Sequence, residues 1–312
     1  MLMRFTAIPI FLFSFLFFCV SLTGFSQTGL QKDLIASGIL KAKLGDFKEA
    51  LKDLNQAVAL DTAEAEPYYN RGIVKSELHD YVGAINDFNK VILLKPAFAE
   101  PYFNRGLARD FMKDYQGAIL DYLKAISLKP NYSEAFHNMG LARFDLNDFL
   151  QAADDFSRAL QYKPDMSEAY YNRGLSKLNL EDPAGAIEDF NAAIKLDSVQ
   201  SDYYESRGAA VADLGRYEEA IADFTTAIQL NPEAPAAYLN KALAFMYLKR
   251  YYDAISLYNQ VIAMNPTDGE ALANRGVAFH YLGELNQACK DWKLAVNAGS
   301  GKAIQYLQKF CE

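Results

Sequence analysis

Small, aromatic and acidic positions return along this chain at a fixed step of 34 residues. The phrase Tyr68-Tyr69-Asn70-Arg71-Gly72 comes back as Tyr102-Phe103-Asn104-Arg105-Gly106, Phe136-His137-Asn138-Met139-Gly140, Tyr170-Tyr171-Asn172-Arg173-Gly174, Tyr204-Glu205-Ser206-Arg207-Gly208, Tyr238-Leu239-Asn240-Lys241-Ala242 and Leu272-Ala273-Asn274-Arg275-Gly276. Twelve residues further on stands a small residue, then an acidic-aromatic pair and another small residue, as in Ala84, Asp87-Phe88 and Val91 or Ala118, Asp121-Tyr122 and Ala125. Pro closes most copies, at 96, 130, 164, 232 and 266. This pattern predicts a repeated pair of antiparallel helices, with Pro at junctions because it cannot continue a helix but can start one.

Counting from Gln31, Ala65, Ala99, Ser133, Ser167, Ser201, Pro235 and Gly269 gives units 31–64, 65–98, 99–132, 133–166, 167–200, 201–234, 235–268 and 269–302. In that count an aromatic holds place 4 and small residues hold places 8, 20 and 27. Places 8 and 20 mark the crossing of the two helices, where Gly or Ala lets the backbones approach. Aromatics at places 4 and 24 are expected to wedge between neighbouring units. One helix pair buries only one face by itself, so stability comes from the stack. The first unit is degenerate, with Ser37-Gly38 where Arg-Gly stands elsewhere. The fifth keeps Asp189-Phe190 but departs at Asp182-Pro183, where others carry Asp-aromatic, and has Ser198 for the closing Pro. In the seventh, Leu257 replaces the Asp. After the eighth, Ala298-Gly299-Ser300-Gly301 turns the chain into a last amphipathic helix, Ala303 to Phe310, within 303–312.

Eight copies in register over residues 31–302 resemble the tetratricopeptide repeat (TPR) family. The resemblance implies an all-α, right-handed superhelical solenoid of eight helix-turn-helix units closed by a C-terminal cap helix. It also implies that places 2, 6, 9 and 13 of each first helix, spaced to share one stripe, line a concave groove. Place 2 is Glu66, Glu100, Glu134, Glu168, Asp202 and Glu270, with Ala236 the exception; place 6 is Asn70, Asn104, Asn138, Asn172, Asn240 and Asn274, with Ser206 the exception. Co-chaperone TPRs that clamp a C-terminal carboxylate need Lys at place 2, which the acidic row excludes. The asparagine row is similar to the ladder of the O-GlcNAc transferase arm, which grips peptide backbone. The alternative is structural, since an acid in a helix's first turn complements the dipole and Asn can satisfy neighbouring units.

Arg at place 7 and Asp at place 23 travel together, as Arg71 with Asp87, Arg105 with Asp121, Arg173 with Asp189, Arg207 with Asp223 and Arg275 with Asp291. Where Lys241 replaces Arg, Leu257 replaces Asp, and Met139 opposite Asp155 breaks the rule. The correlation predicts a repeated structural ion pair, within a unit or across to its neighbour.

The chain has 312 residues, a net charge of -8 and 51% hydrophobic residues, enough for a continuous core. Length alone suggests two domains, but the repeats read as one elongated domain. The acidic balance, without a Lys/Arg-rich run, argues against nucleic acid and anionic membrane as partners. Residues 1–26 read as a signal peptide: Arg4 in the n-region, an apolar run from Ala7 to Leu22, and Gly24-Phe25-Ser26 before a cut at Gln27. Loss of Arg4 takes the net charge from -8 to -9. An uncleaved anchor is one alternative, and a lipoprotein site at Cys19 is another, although Phe18 is bulky for it. The mature chain is expected not to insert in a membrane, and to be periplasmic or secreted.

Cys289 lies about ten residues before the turn at Gly299-Ser300 and Cys311 about eleven after it, so in a hairpin of packed helices they face each other. A disulfide is expected, stable in an oxidising compartment; the alternative is two buried thiols. No cysteine or histidine spacing suggests a metal, and no phosphate loop, nucleophile-base arrangement or HExxH suggests catalysis or a cofactor. The expected function is a non-catalytic scaffold holding an extended, neutral-to-basic peptide or partner subunit in the groove. The alternatives are a structural component of a cell-envelope or secretion assembly and, more distantly, an enzyme with an unrecognised groove site.

Overall fold

The computed structural model describes residues 27–311, which form helices and turns only. They fall into two compact units, one ending at Pro164 and the other beginning at Asp165. The first holds α1 (Gln27–Lys43), α2 (Phe47–Leu60), α3 (Ala65–Glu77), α4 (Tyr81–Leu94), α5 (Ala99–Phe111), α6 (Tyr115–Leu128), α7 (Ser133–Asp145) and α8 (Phe149–Tyr162). The second holds α9 (Ser167–Asn179), α10 (Pro183–Leu196), α11 (Ser201–Asp213), α12 (Tyr217–Leu230), α13 (Pro235–Tyr247), α14 (Tyr251–Met264), α15 (Gly269–Tyr281), α16 (Leu285–Asn297) and α17 (Gly301–Phe310). Within each unit the helices pair as hairpins, α1 with α2 and so on, and each hairpin packs on the next, an all-α solenoid arrangement. The expected signal segment lies outside the described residues.

The hairpin turn follows from local chemistry. In the α3–α4 turn, the N–H of His79 donates to the Ser76 carbonyl at 3.0 Å and that of Asp80 to the Lys75 carbonyl at 2.8 Å, which ends α3 in a Schellman motif. That motif needs a left-handed residue, supplied by Gly45, Gly215 and Gly283 in three hairpin turns but by His79, Lys113, Asn147, Glu181 and Lys249 in the others. Asp80, Asp114 and Asp182 then cap the second helix by accepting from the N–H of Gly83, Gly117 and Gly185 at 2.9, 3.0 and 2.9 Å.

The core differs from the sequence expectation at place 24. Those rings do not simply wedge between units: in six hairpins the ring lies on the place-8 glycine of its own hairpin, and in the seventh place 8 is Ala242. A Cβ built on Gly72 would sit 2.7 Å from Phe88 Cε1, and one on Gly106 2.7 Å from Tyr122 Cε1; Gly174 with Phe190 and Gly208 with Phe224 repeat the contact in the second unit. No side chain fits between ring and backbone. Place-20 alanines such as Ala84, Ala118, Ala220 and Ala288 are fully buried beside them. The place-4 tyrosines do bridge hairpins: Tyr102 Oη donates to the Pro96 carbonyl at 3.2 Å and Tyr238 Oη to the Pro232 carbonyl at 3.1 Å. Their bulk is buried while the hydroxyl closes the preceding junction.

The Arg–Asp correlation is a buried network. Arg71 holds Asp87 with both Nε (2.9 Å) and Nη2 (2.7 Å), and Arg105, Arg173, Arg207 and Arg275 hold Asp121, Asp189, Asp223 and Asp291 in the same two-pronged way. The pair therefore joins the two helices of one hairpin. It also reaches the neighbour, because Nη1 of Arg71, Arg105, Arg207 and Arg275 donates to the side-chain carbonyl of Asn55, Asn89, Asn191 and Asn259 on the preceding hairpin. A second base at place 11 completes several carboxylates: Lys75 on Asp87 (2.7 Å), Arg109 on Asp121 (2.8 Å) and Lys177 on Asp189 (2.8 Å). Asp155, facing Met139, is held by Arg143 at 2.7 Å, and burial pushes its carboxyl up to about 7 against the pull of that guanidinium. Lys241, facing Leu257, has its ammonium pKa lowered by burial.

Candidate functional site

Places 2 and 6 of the first helices are one turn apart, so each acid lies beside its own asparagine. In the first unit, Asn70 Nδ2 donates to the Glu66 carbonyl at 2.9 Å and Asn138 Nδ2 to the Glu134 carbonyl at 2.8 Å. Asn104 Nδ2 instead donates to Tyr69 Oη on the preceding hairpin at 3.0 Å. One N–H thus orients each amide. Its carbonyl oxygen and second N–H have no protein partner among the described residues, and these are the two groups that could pair with a peptide unit.

The row is not uniform. In the second unit Asn172 is wholly buried, which removes it as an exposed rung. Asn240 Nδ2 points to Glu205 Oε1 at 3.4 Å, and Ser206 Oγ lies 3.3 Å from Tyr171 Oη. Asn274 lines an open cleft of 390 Å³ with Gly269, Glu270, Ala273 and the Ala298–Lys302 turn. The chain therefore brings Asn70, Asn104 and Asn138 together as like groups at a fixed step, while the second unit varies the theme.

The acidic row also differs between units. Lys129 Nζ lies 3.8 Å from Glu100 Oε1 and Lys163 Nζ 3.7 Å from Glu134 Oε1, so acids of the first unit alternate with ammonium groups. These lysines hold place 31, just before the closing Pro, and recur as Lys95-Pro96, Lys129-Pro130 and Lys163-Pro164. That repeat was readable in the sequence and carries a charge the place-2 row alone misses. In the second unit the same place is Asp197, Asn231, Asn265 and Gly299, so Glu168, Asp202 and Glu270, whose own repeats carry Asp197, Asn231 and Gly299, have no lysine there. Burial, with Asp202 adding to it, raises the Glu205 carboxyl pKa.

The aromatics at place 5 are packed away. Tyr69 stands 5.2 Å from Phe98 and Phe103 4.9 Å from Tyr132, while Tyr171 stands 4.8 Å from Tyr203. Burial pushes the phenols of Tyr69 and Tyr171 up to about 12, so both stay neutral, Tyr69 accepting from Asn104. Between hairpins, Ile73, Asn104, Leu107 and Phe111 border a cavity of only 10 Å³, room for a single water. Among the described residues no cluster of His, Cys, Asp and Glu has metal-binding geometry, and no helix is long and apolar enough to cross a membrane.

Other surfaces are aromatic. Tyr217 stacks on Tyr247 (4.7 Å, 3°) and Tyr251 on Tyr281 (5.2 Å, 7°) along the turn edge of the second unit. Tyr247 and Tyr281 remain 67% and 62% exposed.

Residues 137–201 and 206–268 match one family described as Tetratricopeptide repeat, 257–290 match another of the same description, and 40–79 and 112–147 match one described as TPR repeat. No curated protein matches the sequence. Among solved structures, YrrB, a TPR protein with an unusual peptide-binding site, is 22% identical and superposes with a TM-score of 0.55, covering 60% of this chain and 97% of that one. The MamA 41-end structure from Desulfovibrio magneticus RS-1 is 22% identical, with a TM-score of 0.53 and coverage of 56% and 99%. The C-terminal part of a TPR repeat-containing protein from Cytophaga hutchinsonii is 17% identical, with a TM-score of 0.64 and coverage of 76% and 98%. At these identities the likeness is one of fold.

Proposed function

The chain belongs to the tetratricopeptide repeat family, and on that premise we propose that it is a non-catalytic interaction scaffold that holds an extended peptide segment along the first-helix face. The observation that carries this reading is the row Asn70, Asn104 and Asn138, each with one N–H fixed and its carbonyl and second N–H open. A solved relative in fold, YrrB, has a peptide-binding site. Contact through backbone gives affinity with little sequence preference. Preference for neutral-to-basic segments would come from Glu168, Asp202 and Glu270, where no lysine stands at place 31; that part weakens as salt screens it.

The test uses peptides enriched on the wild-type protein from a random display library. Replacing Asn70, Asn104 and Asn138 together with Ala should leave helical content unchanged. At about 1 kcal/mol per lost hydrogen bond, affinity should fall by roughly two orders of magnitude. Unchanged affinity in a folded variant refutes the ladder. The stacked, exposed Tyr247 and Tyr281 favour a second reading, a structural part of an envelope assembly engaged by this edge. Under it, Tyr247→Ser with Tyr281→Ser disrupts the assembly and the asparagine variant does not.

We also propose that the chain works outside the cytoplasm. The n-region, apolar run and small residues before Gln27 motivate this, and the bonded pair Cys289–Cys311 suits an oxidising compartment. Intact mass of protein from its native host should correspond to a chain beginning at Gln27. A mass that retains residues 1–26 rejects the cut.

A further inference from the structure

The last helix sits on a prepared seat. Ala303 follows Gly269, and Tyr306 follows Leu272, by the repeat step of 34, so α17 occupies the position of a first helix in a ninth hairpin. Its inner residues pack on Leu272, Ala273, Ala288, Trp292 and Ala295. Tyr306 stacks on Trp292 at 5.1 Å, Phe310 lies 5.9 Å from the same indole, and His280 lies 4.3 Å from Phe310. Trp292, the one tryptophan of the chain, donates from Nε1 to the Ala273 carbonyl at 3.1 Å, which fixes it whether or not α17 is present.

The attachment of α17 is weaker than that of any hairpin helix. In the described residues no second helix covers its outer side, where Ile304 is 46% exposed, and of its own side chains only Ala303 is fully buried. A helix of 10 residues is marginal by itself. The disulfide Cys289–Cys311 closes a 22-residue separation across the α16–α17 turn and supplies the missing tether. Both cysteines are only half-buried.

We propose that this disulfide is a redox-operated clasp: a dithiol reductant opens it, α17 leaves the Trp292 seat, and reoxidation restores the cap. A thiolate of the reductant attacks one sulfur and forms a mixed disulfide. The second thiol of the reductant then displaces it, leaving Cys289 and Cys311 as thiols and the reductant oxidised by two electrons. The freed face is one built to take a helix. This inference does not depend on the peptide-binding reading.

The full chain is compared before and after dithiothreitol. On reduction, Trp292 emission should shift to the red and its quenching by acrylamide should rise several-fold, with loss of hydrogen-exchange protection confined to 301–310. Glutathione disulfide should reverse both changes, and Cys289→Ser with Cys311→Ser should behave as reduced without reagent. Three results would each overturn the clasp: a reduced protein with unchanged emission and exchange, a native disulfide that dithiothreitol cannot reach, or far-UV loss well beyond one helix, which would make the bond a staple for the whole second unit.

Discussion

Replacing Asp121 with Ala is expected to destabilise the α5–α6 hairpin by about 3 kcal/mol, the low end of what breaking a buried ion pair costs. The carboxylate is 2% exposed. Both its oxygens are held by Arg105, and Oδ2 also by Arg109 at 2.8 Å. Its removal leaves two guanidinium groups facing one another without a counter-charge. Their side chains are 16% and 27% exposed, so water recovers part of the loss; hence the low end. Because a repeat array can open in parts, the quantity to read is hydrogen-exchange protection of α5 and α6, together with the urea midpoint of the whole chain. A loss below 1 kcal/mol would place these pairs with ordinary surface salt bridges, and the network would not be what holds the hairpins.

Asp155 is the natural counterpart of such a lesion, and its expected signature is a pH dependence. Met139 stands where Arg105 stands for Asp121, and burial raises the Asp155 carboxyl from 3.8 to about 7. Folded protein therefore keeps a proton that unfolded chain has released, and stability falls as pH rises between those two values. At about 1.4 kcal/mol per unit, the fall is on the order of 4 kcal/mol. Asp155→Asn should remove it, making the variant the more stable form at pH 8 with little difference near pH 4. Comparison with the variant is essential because His137, held down to about 4 by burial, gives the opposite slope below its ordinary value of 6.5. Equal pH profiles for the two proteins, read as urea midpoints from pH 4 to 8, would show that Arg143 suffices to keep Asp155 charged.

The helix pairs were legible because Gly72, Ala84 and their equivalents recur at places where only a small side chain fits. The Arg–Asp pairing was legible from covariation inside one chain, Lys241 changing together with Leu257. The bases at place 11 and the asparagines at place 25 were not, since a lysine such as Lys75 on a helix reads as a solvated charge until its distance to Asp87 is known. Direction was the other loss. Phe88 at place 24 had to face either a neighbour or its own hairpin, and only the 2.7 Å approach to Gly72 decides it. The asparagine row shows the limit of periodicity: Asn104 and Asn172 share letter and place, yet one is half exposed and the other wholly buried.

The fork of four place-7 arginines carries a sense of direction. Arg71, Arg105, Arg207 and Arg275 find their asparagine on the hairpin that precedes them in the chain, never on the one that follows. A polypeptide leaving the ribosome N-terminus first thus meets each new guanidinium with an acceptor already in place. Growth from the other end would leave these four arginines waiting for a neighbour not yet folded, so the network suits a molecule assembled in the order in which it is made.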